Sequence, residues 1–91
     1  KRIMFERSDA FVALPGGIGT LEELLEVSTW LQLGQHEKPV FVANLFGYWE
    51  PLKDLLARTV EDGFVDQSTV DRIRIVDSIE QLLGELGLQV A

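Results

Sequence analysis

Pro15-Gly16-Gly17-Ile18-Gly19-Thr20-Leu21-Glu22-Glu23 joins an apolar run to a leucine-rich stretch, and the order of those three pieces decides the fold. The run before it, Ala10-Phe11-Val12-Ala13-Leu14, is continuously apolar and stops at Pro15, as a strand buried on both faces does. After it, Leu21, Leu24, Leu25, Ser28 and Leu31 recur at helical spacing. Strand, glycine-rich turn and helix in this order make an anion site. Glycine lets the backbone come close to a phosphate, and the first-turn N–H groups of a helix have no partner inside it. A carboxylate one turn further along then reaches whatever hangs from the phosphate. The stretch predicts a nucleotide or sugar-phosphate site with an acidic residue beside it. It is not the dinucleotide fingerprint with its wider glycine spacing, and it is not a P-loop, because Thr20 and not Lys follows the last glycine.

Working outward, the alternation continues. Residues 20–34 read as a helix with Leu21, Leu24, Leu25 and Leu31 on one broad face and Gly34 closing it. Residues 39–44, Pro-Val-Phe-Val-Ala-Asn, form a second buried strand after a polar loop at 35–38. Leu45-Phe46-Gly47 turns the chain into a helix over 48–62, with Pro51 in its first turn, Leu52, Leu55, Leu56 and Val60 inward, and Gly63 at its end. Residues 72–77 alternate before turning apolar, which suits a strand nearer a sheet edge. Residues 78–86 finish as a short helix with Ser78 and Gln81 placed as a capping box. Three strands alternating with helices predict an α/β fold, a Rossmann-like parallel sheet with helices on both faces and ligands beyond the carboxyl ends of its strands. The turn at 15–19 lies at such an end, and so does the stretch at 44–47.

The chain has 91 residues, so one domain at most, and a core of this size is marginal alone. A net charge of −7 disfavours nucleic-acid and anionic-membrane partners. Without cysteine there is no disulfide and no thiol chemistry. No apolar stretch is long enough to span a bilayer, and a cytoplasmic location is the default expectation. His36 stands alone in a polar loop and reads as solvated, and Glu61, Asp62 and Asp66 lack calcium-ligand spacing, so no metal site is expected.

The full Pro-Gly-Gly-x-Gly-Thr-x-x-Glu pattern resembles the signature of the LOG family, proteins similar to cytokinin riboside 5′-monophosphate phosphoribohydrolases. The likeness runs on through residues 21–33, Lys38-Pro39-Val40, Gly47-Tyr48 and Glu61-Asp62-Gly63-Phe64, thinning after Val65. Family members carry about as much chain again upstream, including a Met-His-x-Arg-Lys-x-x-Met segment whose Lys-x-x-Met end resembles Lys1 to Met4. The resemblance thus implies a single partial domain over residues 1–91, the C-terminal half of a LOG-like domain. Its missing N-terminal half would supply a catalytic Arg, and homodimers are expected.

Spacing alone makes Thr20 and Glu23 a capping box. The resemblance assigns Glu23 to catalysis instead. It assigns Gly16, Gly17, Ile18, Gly19 and Thr20 to the phosphate, with Thr20 serving as cap as well. Glu22, about 100° away on the helical wheel, is a solvated neighbour or a secondary contact. Trp30 is expected at a dimer contact, whereas packing is the expected role of Tyr48 and Trp49 beside a possible base pocket. The implied activity is hydrolysis of the base–ribose bond of an adenine-type nucleoside monophosphate, with no cofactor. A molybdenum-cofactor carrier, which binds a phosphorylated pterin on a similar turn without converting it, is the alternative, and a degenerate dimerisation domain comes third. The "lysine decarboxylase" label attached to the family has no support, since neither Lys38 nor Lys53 has the setting of a Schiff-base lysine.

Overall fold

The structure is a computed structural model, and it describes residues 10–34 and 38–87. In chain order it consists of β1 (Phe11–Ala13), α1 (Ile18–Gln32), β2 (Val40–Ala43), a 3₁₀ turn (Leu45–Gly47), α2 (Glu50–Glu61), α3 (Gln67–Asp71), β3 (Ile73–Val76) and α4 (Ile79–Glu85). The three strands form one parallel sheet in the order β1-β2-β3. This is the expected α/β architecture.

β2 is the centre of the sheet. Its four residues are apolar and buried, and both its edges are hydrogen-bonded, Phe11 opposite Val40 on one side and Val40 opposite Ile73 on the other. Both crossovers step across the sheet in the same direction, so right-handed connections put α1 and α2 on one face. The core divides accordingly. Leu24, Val27 and Leu31 of α1 pack with Ala13, Val40, Val42, Trp49 and Ile73, and Leu52 and Leu56 of α2 lie against this cluster. On the opposite face Phe41 and Val76 meet Leu82 of α4, with Val12 and Leu86 beside them. The period of two along each strand makes this division, with Val40 and Val42 turned one way and Phe41 the other.

Several local expectations hold. Pro51 lies in the first turn of α2, and Gly63 takes a left-handed φ of +81° where that helix ends. β3 is an edge strand, with Ile73 and Val76 buried and Arg74 exposed. The Ser78 hydroxyl accepts the Gln81 N–H at 3.0 Å, and Gln81 Oε1 returns to the Asp77 N–H at 2.9 Å. The capping box therefore closes one residue further upstream than its usual form. Two expectations fail. Leu25 and Leu55 are about half exposed, because α1 and α2 lie side by side on one face and leave a groove between them. The short helix α3 was not anticipated.

Candidate functional site

α1 begins at Ile18. Gly17 is its N-cap, with extended backbone (φ −100°, ψ −151°) and no side-chain cap. The first N–H taken up is that of Leu21, which donates to the Gly17 carbonyl at 3.1 Å. Those of Ile18, Gly19 and Thr20 precede it and have no acceptor among the described residues. No acidic side chain occupies the first turn. A bare helix N-terminus thus opens at the carboxyl end of β1.

This corrects the expected role of Thr20 as cap. The helix starts two residues earlier, so Thr20 is its third residue and cannot cap it, and Glu23 makes no side-chain hydrogen bond back to the turn. The reason is local. Gly17 adopts the extended N-cap geometry and offers no side-chain acceptor, so the orphan donors stay open. Thr20 instead folds its side chain over Gly16, where an added Cβ would collide with the hydroxyl and lie 3.0 Å from Thr20 Cβ. Gly16 is glycine for want of room. At Gly17 and Gly19 a Cβ would meet nothing within 4 Å. Packing within the described residues does not demand glycine at either position.

Glu23 lies further along the same helix. It is exposed, and it lines an open depression of about 480 Å³ together with Gly19, Thr20, Pro15 and the Phe11 and Val12 side of β1. Two of the residues assigned to phosphate and the one assigned to catalysis are therefore brought together. Ile18 is 81% exposed at the start of the helix. Glu22 is exposed.

A second loop completes the ligand end of the sheet, and sequence reasoning missed its role. Asn44, at the exit of β2, is the one buried polar residue among those described, at 4% exposure. Its N–H donates to the Val76 carbonyl at 2.8 Å, its Oδ1 accepts the Trp49 N–H at 2.6 Å, and its Nδ2 donates to Glu50 Oε1 at 2.8 Å. These bonds fix the intervening turn, in which Phe46 is fully exposed with a left-handed backbone (φ 57°, ψ 24°). From this turn the Tyr48 hydroxyl donates to the Gly16 carbonyl. Trp49 is buried, as expected of a packing residue, and its ring meets that of Tyr48 edge-on at 5.1 Å. The only sequence signal for the contact was the placement of both loops at strand carboxyl ends.

Trp30 is partly buried and packs against the α1–α2 side of the core. A largely apolar groove of about 560 Å³ runs between α1 and α2, lined by Leu21, Leu25, Tyr48, Leu52 and Leu55 among others. His36 and the segment Lys1 to Met4 lie outside the described residues. Among the described residues no group of His, Asp and Glu could hold a metal, and no helix is long and apolar enough to cross a membrane.

An α/β sheet with an open helix N-terminus at a strand's carboxyl end and a carboxylate one turn on is an arrangement suited to an anionic ligand. The chain belongs to the LOG family: the family model described as "Possible lysine decarboxylase" matches residues 1–86. A probable cytokinin riboside 5′-monophosphate phosphoribohydrolase of Oryza sativa subsp. japonica is 48% identical over 86 residues, 94% of this chain and 35% of the relative. A cytokinin riboside 5′-monophosphate phosphoribohydrolase of Arabidopsis thaliana is also 48% identical over 86 residues, 94% of this chain and 40% of the relative. Another probable Arabidopsis enzyme of that name is 55% identical over 65 residues, 71% of this chain and 32% of the relative. The chain spans about two fifths or less of the length of these curated relatives.

Proposed function

We propose that the protein to which this chain belongs is a nucleoside 5′-monophosphate phosphoribohydrolase acting on cytokinin riboside 5′-monophosphate or AMP-type nucleotides. The observation that carries the reading is the shared depression of Gly19, Thr20 and Glu23 at the bare start of α1. The phosphate sits at residues 16–20, held by backbone N–H groups and the helix dipole. The ribose then extends toward Glu23. As the C1′–N bond breaks, positive charge builds on the ribose, and a carboxylate beside it stabilises that charge or takes a proton from the attacking water. The water oxygen bonds to C1′, the base leaves with a proton, and ribose 5-phosphate remains. No cofactor is required.

The names of the relatives support this substrate class, and so does Glu23, which a carrier of a phosphorylated ligand would not need at that place. The depression runs along β1, which among the described residues is hydrogen-bonded in the sheet to β2 alone. In this reading a preceding half of the same protein lies along that side and brings the catalytic Arg, with residues 1–91 as the C-terminal half. The groove holding the exposed Leu25 and Leu55 is the face assigned to a homodimer, and the enzyme works in the cytoplasm.

The test is base release from AMP and from N6-isopentenyl-AMP by the full-length protein, with Glu23→Gln alongside. A fall of about 100-fold or more is expected in the variant for a lost acid–base group. Undiminished release would remove Glu23 from the chemistry, and no release by the wild type with nucleotide still bound would make the protein a carrier.

A further inference from the structure

Gly17 and Gly19 are exposed, and a side chain added at either would meet nothing within 4 Å. Yet a site that holds phosphate by backbone N–H groups needs those groups pre-set, since ordering a loose glycine turn on binding costs affinity. The chain's answer to this comes from the loop after β2.

Tyr48 is 32 residues from Gly16 in sequence, and its hydroxyl donates to the Gly16 carbonyl. That carbonyl belongs to the peptide unit whose N–H is on Gly17, the N-cap of α1. Fixing the carbonyl fixes the plane of the peptide and hence the direction of the Gly17 N–H. Tyr48 can do this because its own backbone is held. Asn44, anchored to β3 through the Val76 carbonyl, takes the Trp49 N–H and reaches Glu50, so the turn carrying Tyr48 is stapled at both ends. The edge-on contact with the buried Trp49 ring limits the swing of the phenol. The chain of contacts runs from the sheet through Asn44 and Trp49 to Tyr48, and ends on the turn.

We infer that Tyr48 is a positioning residue for phosphate binding, bracing the Gly16–Gly17 peptide through its hydroxyl while touching neither the base nor the reacting bond. The inference rests on the reading of residues 16–20 as the phosphate site. Its consequence is a particular kinetic signature. An interaction that orders the phosphate cradle equally for bound substrate and transition state alters KM and leaves kcat alone.

The experiment compares wild type with Tyr48→Phe in the full-length protein, a change that removes only the hydroxyl. Two readouts are taken: amide hydrogen exchange across residues 16–21 without nucleotide, and kcat and KM for base release from AMP. Expected are faster exchange confined to residues 16–21 and a rise in KM of about five- to tenfold, the worth of one hydrogen bond, with kcat within twofold. Unchanged exchange in that segment overturns the inference, as does an equal rise in β2, which would make the effect one of general stability. A fall in kcat with KM unchanged also overturns it. If the wild type releases no base, the proposed reaction fails, and the brace is then judged by exchange together with AMP affinity from calorimetric titration. Local loosening with weaker AMP binding upholds it, and equal affinity sinks it.

Discussion

Asn44 Oδ1 accepts the backbone N–H of Trp49 at 2.6 Å, and both residues are buried. A buried amide proton left without an acceptor costs about 1–3 kcal/mol. Asn44→Ala removes that acceptor together with the bond to Glu50, so a loss of about 2 kcal/mol is expected. Asn44→Asp keeps the acceptor but sets a second carboxylate against Glu50 where the amide now donates at 2.8 Å, and it should also destabilise. Denaturant unfolding of the full-length variants checks both. An Asn44→Ala midpoint equal to wild type would mean that water replaces the side chain without loss.

Gly16 and Gly17 are neighbours with different expected responses to alanine. At 16 the new methyl group meets Thr20, and overpacking of this kind costs about 1–3 kcal/mol. At 17 the backbone is extended and nothing lies within 4 Å, so the cost is that of alanine for glycine at an N-cap, about 1 kcal/mol or less. Nucleotide affinity should nonetheless fall in Gly17→Ala, because the methyl group occupies the approach to the N–H groups. Thermal unfolding and calorimetric titration with AMP separate the two effects. If Gly17→Ala binds AMP like wild type, the phosphate does not sit against that residue.

Most of the fold was legible because its signals are local. The unbroken apolar run at 40–43 could only be a central strand, and the alternation at Ile73, Arg74, Ile75 and Val76 marked the edge. The glycine turn was legible as the join between β1 and α1, and the helical pattern after it put Glu23 on that helix. What could not be read depends on distant or conformational facts. Tyr48 finds Gly16 across 32 residues, a contact with no local pattern. The start of α1 moved to Ile18 because Gly17 serves as cap, whereas Thr20, the better capping residue, drew the boundary inward. Leu55 belongs to a well-formed apolar stripe yet faces a groove, since the stripe does not say how close the neighbouring helix comes. α3 carries four poor helix formers after Gln67, namely Ser68, Thr69, Val70 and Asp71, and is held by its place before β3.

Phe46 has a left-handed backbone with φ 57°, and its ring is wholly exposed. A bulky residue in that conformation stores about 1–3 kcal/mol of strain, and here no burial offsets it. Asn tolerates the conformation better, so Phe46→Asn should stabilise the protein by about 1 kcal/mol. Phe46→Gly should do so too, less the backbone entropy of glycine. The check is the thermal midpoint of each variant against wild type. A lower midpoint in both would show that the ring makes a stabilising contact in the assembled protein, and base-release kinetics would then tell whether that contact serves the site.

The last prediction concerns the 91-residue chain by itself. Among the described residues, β1 is bonded to a neighbour on one side only, and the second face of the sheet is covered by one seven-residue helix, α4, through Leu82 and Leu86. Val12 and Phe41 therefore share a thin layer, and an open strand edge invites association. A chain this short hides only about 60% of the surface exposed on unfolding, so little hydrophobic stabilisation is left once chain entropy is met. Scanning calorimetry of the isolated chain should show no cooperative transition for a monomer, and sedimentation should show aggregation or self-association. In the proposed reading, a preceding half of the protein added in trans should restore a single transition by covering the β1 edge. A sharp transition from a monomeric isolated chain would mean that the three strands and four helices suffice, and that β1 needs no neighbour beyond β2.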